Sequence, residues 1–182
     1  MEKVASVQTP FQRIDVFDVQ ESTEQYARLM KDPTYKEKYP KLFRPDRILY
    51  LDGVIQSTLH NIEAYHEALV HPAMFTHKDP KRVAIIGGGE GTTLKEVLKH
   101  NTLEKVQMVE IDKEMVMSSR THLPEWSDCS DIIGSEDWCV EDKRVEMYYE
   151  DAMAWFINRY SKGGTMYHEN HPKLDLIIMD AL

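Results

Sequence analysis

Residues 81–112 read KRVAIIGGGEGTTLKEVLKHNTLEKVQMVEID. The apolar run 83–86 predicts a short buried strand. It runs into Gly87-Gly88-Gly89-Glu90-Gly91. Thr92 and Thr93 are candidate caps for a following helix, whose apolar positions are Leu94, Val97 and Leu98. Residues 106–109 predict a second strand, with Glu110 at its C-terminal end. Strand, Gly-rich turn, helix, strand and terminal acid make the nucleotide-binding half of a doubly wound parallel sheet. In such a half, Gly87, Gly89 and Gly91 let the backbone turn tightly and approach a ligand. Glu110 is placed to accept hydrogen bonds from ribose hydroxyls.

The spacing narrows the ligand. A dinucleotide fingerprint is GxGxxG, whereas Gly87, Gly89 and Gly91 give GxGxG. Glu90 also lies inside the turn. A pyrophosphate favours bare amides and a helix N-terminus without a neighbouring carboxylate. A carboxylate there suits a cation. An adenosine carrying a sulfonium and an ammonium therefore fits better than NAD.

Composition excludes several classes. The chain has 182 residues, of which 42% are hydrophobic, enough for one good core and a small appendage. Its formal net charge of -9, with no basic run, argues against nucleic acid or a lipid surface as partner. Such a charge is compatible with cationic substrates. No apolar N-terminal segment marks secretion or membrane insertion, so a cytoplasmic location is expected. Cys129 and Cys139 show neither a disulfide framework nor zinc spacing and read as free thiols. His60, His66, His71 and His77 lack a metal-site pattern, so no metal is expected.

Working outward, residues 11–19 alternate partly and predict a strand, followed by a helix capped by Ser22 or Thr23. Residues 31–45 read as loop and helical turn. Residues 47–58, RILYLDGVIQST, predict a hairpin turning at Asp52-Gly53, with Gln56 polar on the return strand. A short helix is expected over 63–69, with Tyr65, Leu69 and Val70 sharing a face. Pro72 falls near the start of, or inside, a second turn. Asp79-Pro80 marks a boundary, dividing the chain into an N-terminal β-rich domain, 1–78, and an α/β domain, 79–182.

Beyond Asp112, a helix begins at Glu114, and residues 127–142 form an acidic surface excursion. A strand at 145–148 leads through Glu150-Asp151 to a helix at 152–160. After a polar excursion at 163–171, a fourth strand at 174–179 ends in Asp180. The strand at 83–86 is expected near the sheet centre, with 106–109 on one side and 174–179 on the other. A sheet of this kind needs elements beyond its fourth strand, so the chain reads as incomplete. Asp151 caps the helix after it, and it also stands where the adenine of a bound adenosine would lie.

Together these segments resemble the polyamine aminopropyltransferases, the family of spermidine, spermine and thermospermine synthases. The matching stretches are LDGVIQST at 51–58, YHE at 65–67, HPAM at 71–74, IIGGGEGTTLKEVLKH at 85–100, VEID at 109–112, YYEDA at 148–152 and DLIIMDA at 175–181. The resemblance implies a Rossmann-like, methyltransferase-type α/β fold behind a small N-terminal β-rich domain. It implies transfer of an aminopropyl group from decarboxylated S-adenosylmethionine, a co-substrate, to a polyamine amine such as putrescine or spermidine, with release of methylthioadenosine. No tightly bound cofactor is expected, and a homodimer or homotetramer is.

Residue by residue, the resemblance implies that Gln56 contacts the nucleoside or thioether side and that Glu90 lies near the aminopropyl ammonium. Glu110 would bind the ribose hydroxyls and Asp151 the adenine amino group. Asp180 would orient and help deprotonate the attacking amine, supported by Tyr65, with His66 beside them in the substrate-binding group. Two departures bear on the acceptor. Asn61-Ile62-Glu63 stands where many spermidine synthases have Asp-Glu-Phe, and Asp180-Ala181-Leu182 replaces an Asp-Ser-x-Asp-Pro type of segment. The alternatives are a putrescine N-methyltransferase-like enzyme using intact S-adenosylmethionine, and an inactive, truncated nucleoside-binding domain.

Overall fold

The computed structural model describes residues 1–20 and 23–181. The chain divides into two compact units, Met1–Asn61 and Ile62–Leu182.

The first unit contains β1 (Glu2–Gln8), β2 (Arg13–Val19), α1 (Glu24–Met30), α2 (Pro33–Lys38), a 3-10 turn at Pro40–Phe43, β3 (Asp46–Leu51) and β4 (Val54–Thr58). Its four strands form an antiparallel meander in the order β1-β2-β3-β4. Ile14, Val16 and Leu49 are buried on it, and each such side chain contributes about 1.5–3 kcal/mol. β1 has no counterpart in the sequence reading. It is an edge strand, mostly exposed, so its sequence EKVASVQ carries little apolar alternation. Its hold on β2 is partly ionic, through Lys3 Nζ and Ser6 Oγ, 3.0 and 2.6 Å from Asp15 Oδ1.

The predicted hairpin forms between β3 and β4. Asp52 and Gly53 both have positive φ, 50° and 82°, as a type I′ turn requires. Ile55 pairs with Tyr50 and Ser57 with Leu49, leaving Gln56 as the extra residue of a β-bulge. Of the two candidate caps for α1, Ser22 lies outside the described residues, and the Thr23 side chain accepts from the Tyr26 amide.

The second unit contains α3 (Ile62–Thr76), β5 (Arg82–Gly87), α4 (Thr92–Leu98), β6 (Lys105–Val109), α5 (Lys113–His122), β7 (Val145–Tyr148), α6 (Ala152–Tyr160) and β8 (Leu176–Asp180). The sheet is parallel, in the order β7-β6-β5-β8. The expected arrangement is therefore present, with β5 between β6 and β8. Val83, Ala84 and Ile85 of β5 are fully buried, as a parallel strand covered on both faces demands.

Three local expectations are corrected. First, α3 is one helix of 15 residues with Pro72 inside it. A proline within a helix costs about 3 kcal/mol through its missing N–H and its ring. The buried stripe Ile62, His66, Val70 and Met74, four residues apart, offsets this. Val70 and Met74 pack with Val83, Ile85 and Leu94 in the core. Tyr65 is not on that stripe and is 58% exposed. Because α3 packs on this core, the division between units falls after Asn61 and not at Asp79-Pro80. Second, the N-cap of α4 is Gly91, and Thr92 and Thr93 are already helical.

Third, Cys129 and Cys139 form a disulfide. The expected free thiols and surface excursion give way to a segment whose base is buried. Its two arms fold back on each other. The Cys129 amide donates to Asp137 O at 2.8 Å and the Cys139 amide to Ser127 O at 3.0 Å. Both cysteines join the core cluster with Leu98 and Leu103. Asp142 closes the segment by accepting from Ser135 Oγ at 2.6 Å and from Arg144 Nη2 at 2.9 Å. Burial opposes its charge, but these bonds and the Arg144 cation hold its pKa at about 2. Among the described residues, no helix is long and apolar enough to cross a membrane.

Candidate active site

The C-terminal ends of β5, β6 and β8 meet around the glycine-rich turn. Gly87 pairs in register with Asp180, and the Gly88 amide donates to Asp180 O at 2.9 Å. Gly87 has φ +78°, and a Cβ there would stand 2.4 Å from Asp180 O. A Cβ on Gly89 would lie 2.8 Å from Met115 Cγ and 3.0 Å from Glu110 Oε2. The missing side chains thus allow Asp180 and Glu110 to close on the turn from two neighbouring strands.

Each acid has its own setting. Asp180 Oδ2 accepts from Thr93 Oγ1 at 2.6 Å. The Tyr65 hydroxyl also hydrogen-bonds Asp180, and burial together with the charges of Asp180 and Glu90 raises the phenol's pKa. Tyr65 therefore stays a protonated donor at neutral pH. Glu110 is buried. Its carboxylate accepts from the amides of Asp112, at 2.9 Å, Gly89 and Ile111. Burial outweighs these bonds and raises its pKa.

Glu90 is buried in the turn, and its Oε1 lies 2.8 Å from His66 Nε2 on α3. The other ring nitrogen, Nδ1, lies 2.6 Å from Ile62 O. Burial disfavours the imidazolium, but the Glu90 bond and charge, with the Ile62 carbonyl and the charge of Asp180, raise the His66 pKa overall. Ile62, at one of the departures from the Asp-Glu-Phe pattern, is buried and supplies this carbonyl.

The second unit thus brings together Tyr65, His66, Gly87, Gly89, Glu90, Gly91, Glu110 and Asp180. Asp151 follows β7 and is exposed, where it caps α6 by accepting from the Ala154 amide at 2.8 Å. Gln56 belongs to the first unit, half-buried on its bulge. Two features of this arrangement are absent from the sequence reading. Thr93 reads as a cap, yet its hydroxyl holds Asp180. His66 reads as a substrate-group neighbour of Tyr65, yet it pairs with the acid of the turn. Only the i, i+4 stripe of α3 signals that His66 points inward. Elsewhere in this unit Glu67, His71 and Glu96 bring ligand atoms within 4.8 Å of one another. Both oxygens of Glu96 are 2.7 Å from Lys99 Nζ, so an ammonium already serves as its cation.

Residues 62–182 match the spermine/spermidine synthase domain. The chain belongs to this family. The spermidine synthase family includes curated relatives such as polyamine aminopropyltransferase 1 of Hyperthermus butylicus. That protein is 43% identical over 134 residues, which are 74% of this chain and 40% of the relative. Polyamine aminopropyltransferase 2 of Pseudomonas aeruginosa is 40% identical over 75% of this chain and 34% of its own length. Among solved structures, spermidine synthase from Thermotoga maritima matches with a TM-score of 0.68 and 30% identity, over 100% of this chain and 48% of the other. The chain thus spans about a third to two fifths of these curated relatives and about half of that structure. As a spermidine synthase family member it shares their α/β fold, an antiparallel β unit followed by a parallel sheet.

Proposed function

We propose that this chain carries the donor-binding and base-bearing part of an aminopropyltransferase. It takes decarboxylated S-adenosylmethionine and a polyamine amine, putrescine or spermidine, and releases methylthioadenosine. The observation that supports this most directly is the meeting of Glu90, Glu110 and Asp180 around one glycine-rich turn, in a chain of this family.

The roles follow from the chemistry. The acceptor nitrogen attacks the carbon next to the sulfonium. The carbon–sulfur bond breaks, and its electron pair makes the neutral thioether. A sulfonium leaves readily, so the protein's task is to orient the amine and take its proton. Aliphatic ammonium groups titrate near the lysine value of about 10.4, so the reactive free amine is scarce at neutral pH. Asp180, held by Thr93 and Tyr65, is the group assigned to accept that proton, directly or through water. Glu110 receives the ribose hydroxyls, and Asp151 the adenine amino group at the end of β7. Gln56 keeps the nucleoside-side role that the resemblance gives it. Glu90 and His66 face the donor's ammonium end. A methyl donor's carboxylate would meet Glu90, which favours the decarboxylated donor. No resident cofactor enters these steps.

The test is an assay of the full-length protein with putrescine, spermidine and agmatine, using the decarboxylated and the intact donor in parallel. Methylthioadenosine release with a polyamine and the decarboxylated donor is expected. Turnover only with the intact donor would replace this reading by methyl transfer.

A further inference from the structure

His66 is 2% exposed, and both of its ring nitrogens face oxygen. A backbone carbonyl can only accept, so Nδ1, 2.6 Å from Ile62 O, carries a hydrogen. Nε2 then faces a carboxylate oxygen at 2.8 Å. Two bare acceptors do not share that distance, so a proton lies between them, and because imidazole is a stronger base than a carboxylate the pair is imidazolium–carboxylate. The other groups facing the ring agree. Asp180 acts on it with a negative charge, and Tyr65, a protonated phenol, meets it edge-on at 4.9 Å. Glu90 is thereby neutralised in the ligand-free site, which lets its carboxylate stay buried within the turn, the side chain only 11% exposed.

A second cation brought to Glu90 would meet the first. We propose that the donor's ammonium exchanges with the His66 proton, so that the donor binds to the neutral form of His66 and releases a proton on binding. The inference rests on the donor site proposed above. In the exchanged state Nδ1–H still donates to Ile62 O. The Nε2 lone pair and the Glu90 carboxylate both accept from the ammonium. The proton passes to solvent, and no other bond changes. His66 is then a specificity-determining residue. A ligand with a basic nitrogen at this end drives the exchange, and one without it leaves the pair closed. Donor affinity rises up to tenfold per pH unit below the His66 titration and levels off above it. Affinity for methylthioadenosine, which has no ammonium, stays flat.

Calorimetry of the full-length protein at pH 6.5, in buffers of different ionisation enthalpy, counts released protons. Decarboxylated S-adenosylmethionine is expected to release close to one, methylthioadenosine close to none, and the donor close to none in His66→Gln. Donor binding without proton release in the wild-type protein, or equal release by both ligands, would overturn the exchange and leave the nucleoside site standing. Failure of both ligands to bind would overturn the donor site and the exchange with it. A second measurement needs neither ligand nor variant. Imidazole ¹⁵N shifts of the ligand-free protein at pH 6.5 are expected to show both His66 nitrogens protonated, and a neutral ring would refute the proposal.

Discussion

Replacing Asp180 by Asn tests the proposed base apart from the scaffold that holds it. The carboxylate accepts from Thr93 Oγ1 at 2.6 Å and from the exposed Tyr65. A bond to a charged acceptor contributes about 1.5–3 kcal/mol and a neutral one about 0.5–1.5. The asparagine oxygen can keep Thr93, so the loss is about 1–2 kcal/mol across both contacts. At this chain length that lowers the thermal midpoint by about 2–8 °C. The main-chain bond from Gly88 to Asp180 O, 2.9 Å, is untouched, and so is Glu110. Methylthioadenosine affinity, measured by calorimetry, is therefore expected to stay within about threefold, a difference of under 1 kcal/mol. Turnover of the full-length protein at pH 7 is expected to fall by about 10²–10⁴-fold, the usual contribution of a general base. The sign of the pH effect follows. The free amine increases tenfold per pH unit up to about pH 10, so the variant regains rate on the alkaline side faster than the wild-type protein. Near-normal turnover at pH 7 would refute the role of Asp180. A parallel loss of nucleoside binding would show it to be a folding residue.

Glu90→Gln is expected to weaken the decarboxylated donor by about 1.5–3 kcal/mol, and methylthioadenosine much less, in the same calorimetric titrations. Asp142, with its pKa near 2, contributes stability that is fully present above the unfolded value near 3.9 and lost as pH falls through about 2. Asp142→Asn should therefore cost about 2 kcal/mol at pH 7 in urea unfolding, and the difference from wild type should shrink between about pH 4 and 2. Reducing the Cys129–Cys139 disulfide, whose separation is 10 residues, should lower stability by about 2–3 kcal/mol, read as a lower unfolding midpoint with than without reductant.

The sequence by itself determined the second unit's sheet. The run VAII is continuous because its parallel strand is buried on both faces, and the turns that follow the strands are marked by Gly and by acids. The strand β5, its glycine turn, Glu110 and Asp180 were legible because each combines a local pattern with a position at a strand end. The hairpin at Asp52-Gly53 was legible for a similar reason, since two successive positive φ angles leave few residue choices. Tertiary structure alone decided what those patterns touch. β1 took its place by pairing along an exposed edge, which leaves no apolar period to read. Pro72 stayed inside α3 because packing of Val70 and Met74 on a distant sheet outweighed a local penalty. The cysteines met because the arms of residues 127–142 fold back on each other, which a spacing of 10 does not state. Thr93 found Asp180 across 87 residues of chain, and His66 found Glu90 through the inward face of α3. Propensity and period act over a few residues. The hydrogen bonds that set each acid's proton affinity join segments that only the folded sheet brings within 3 Å.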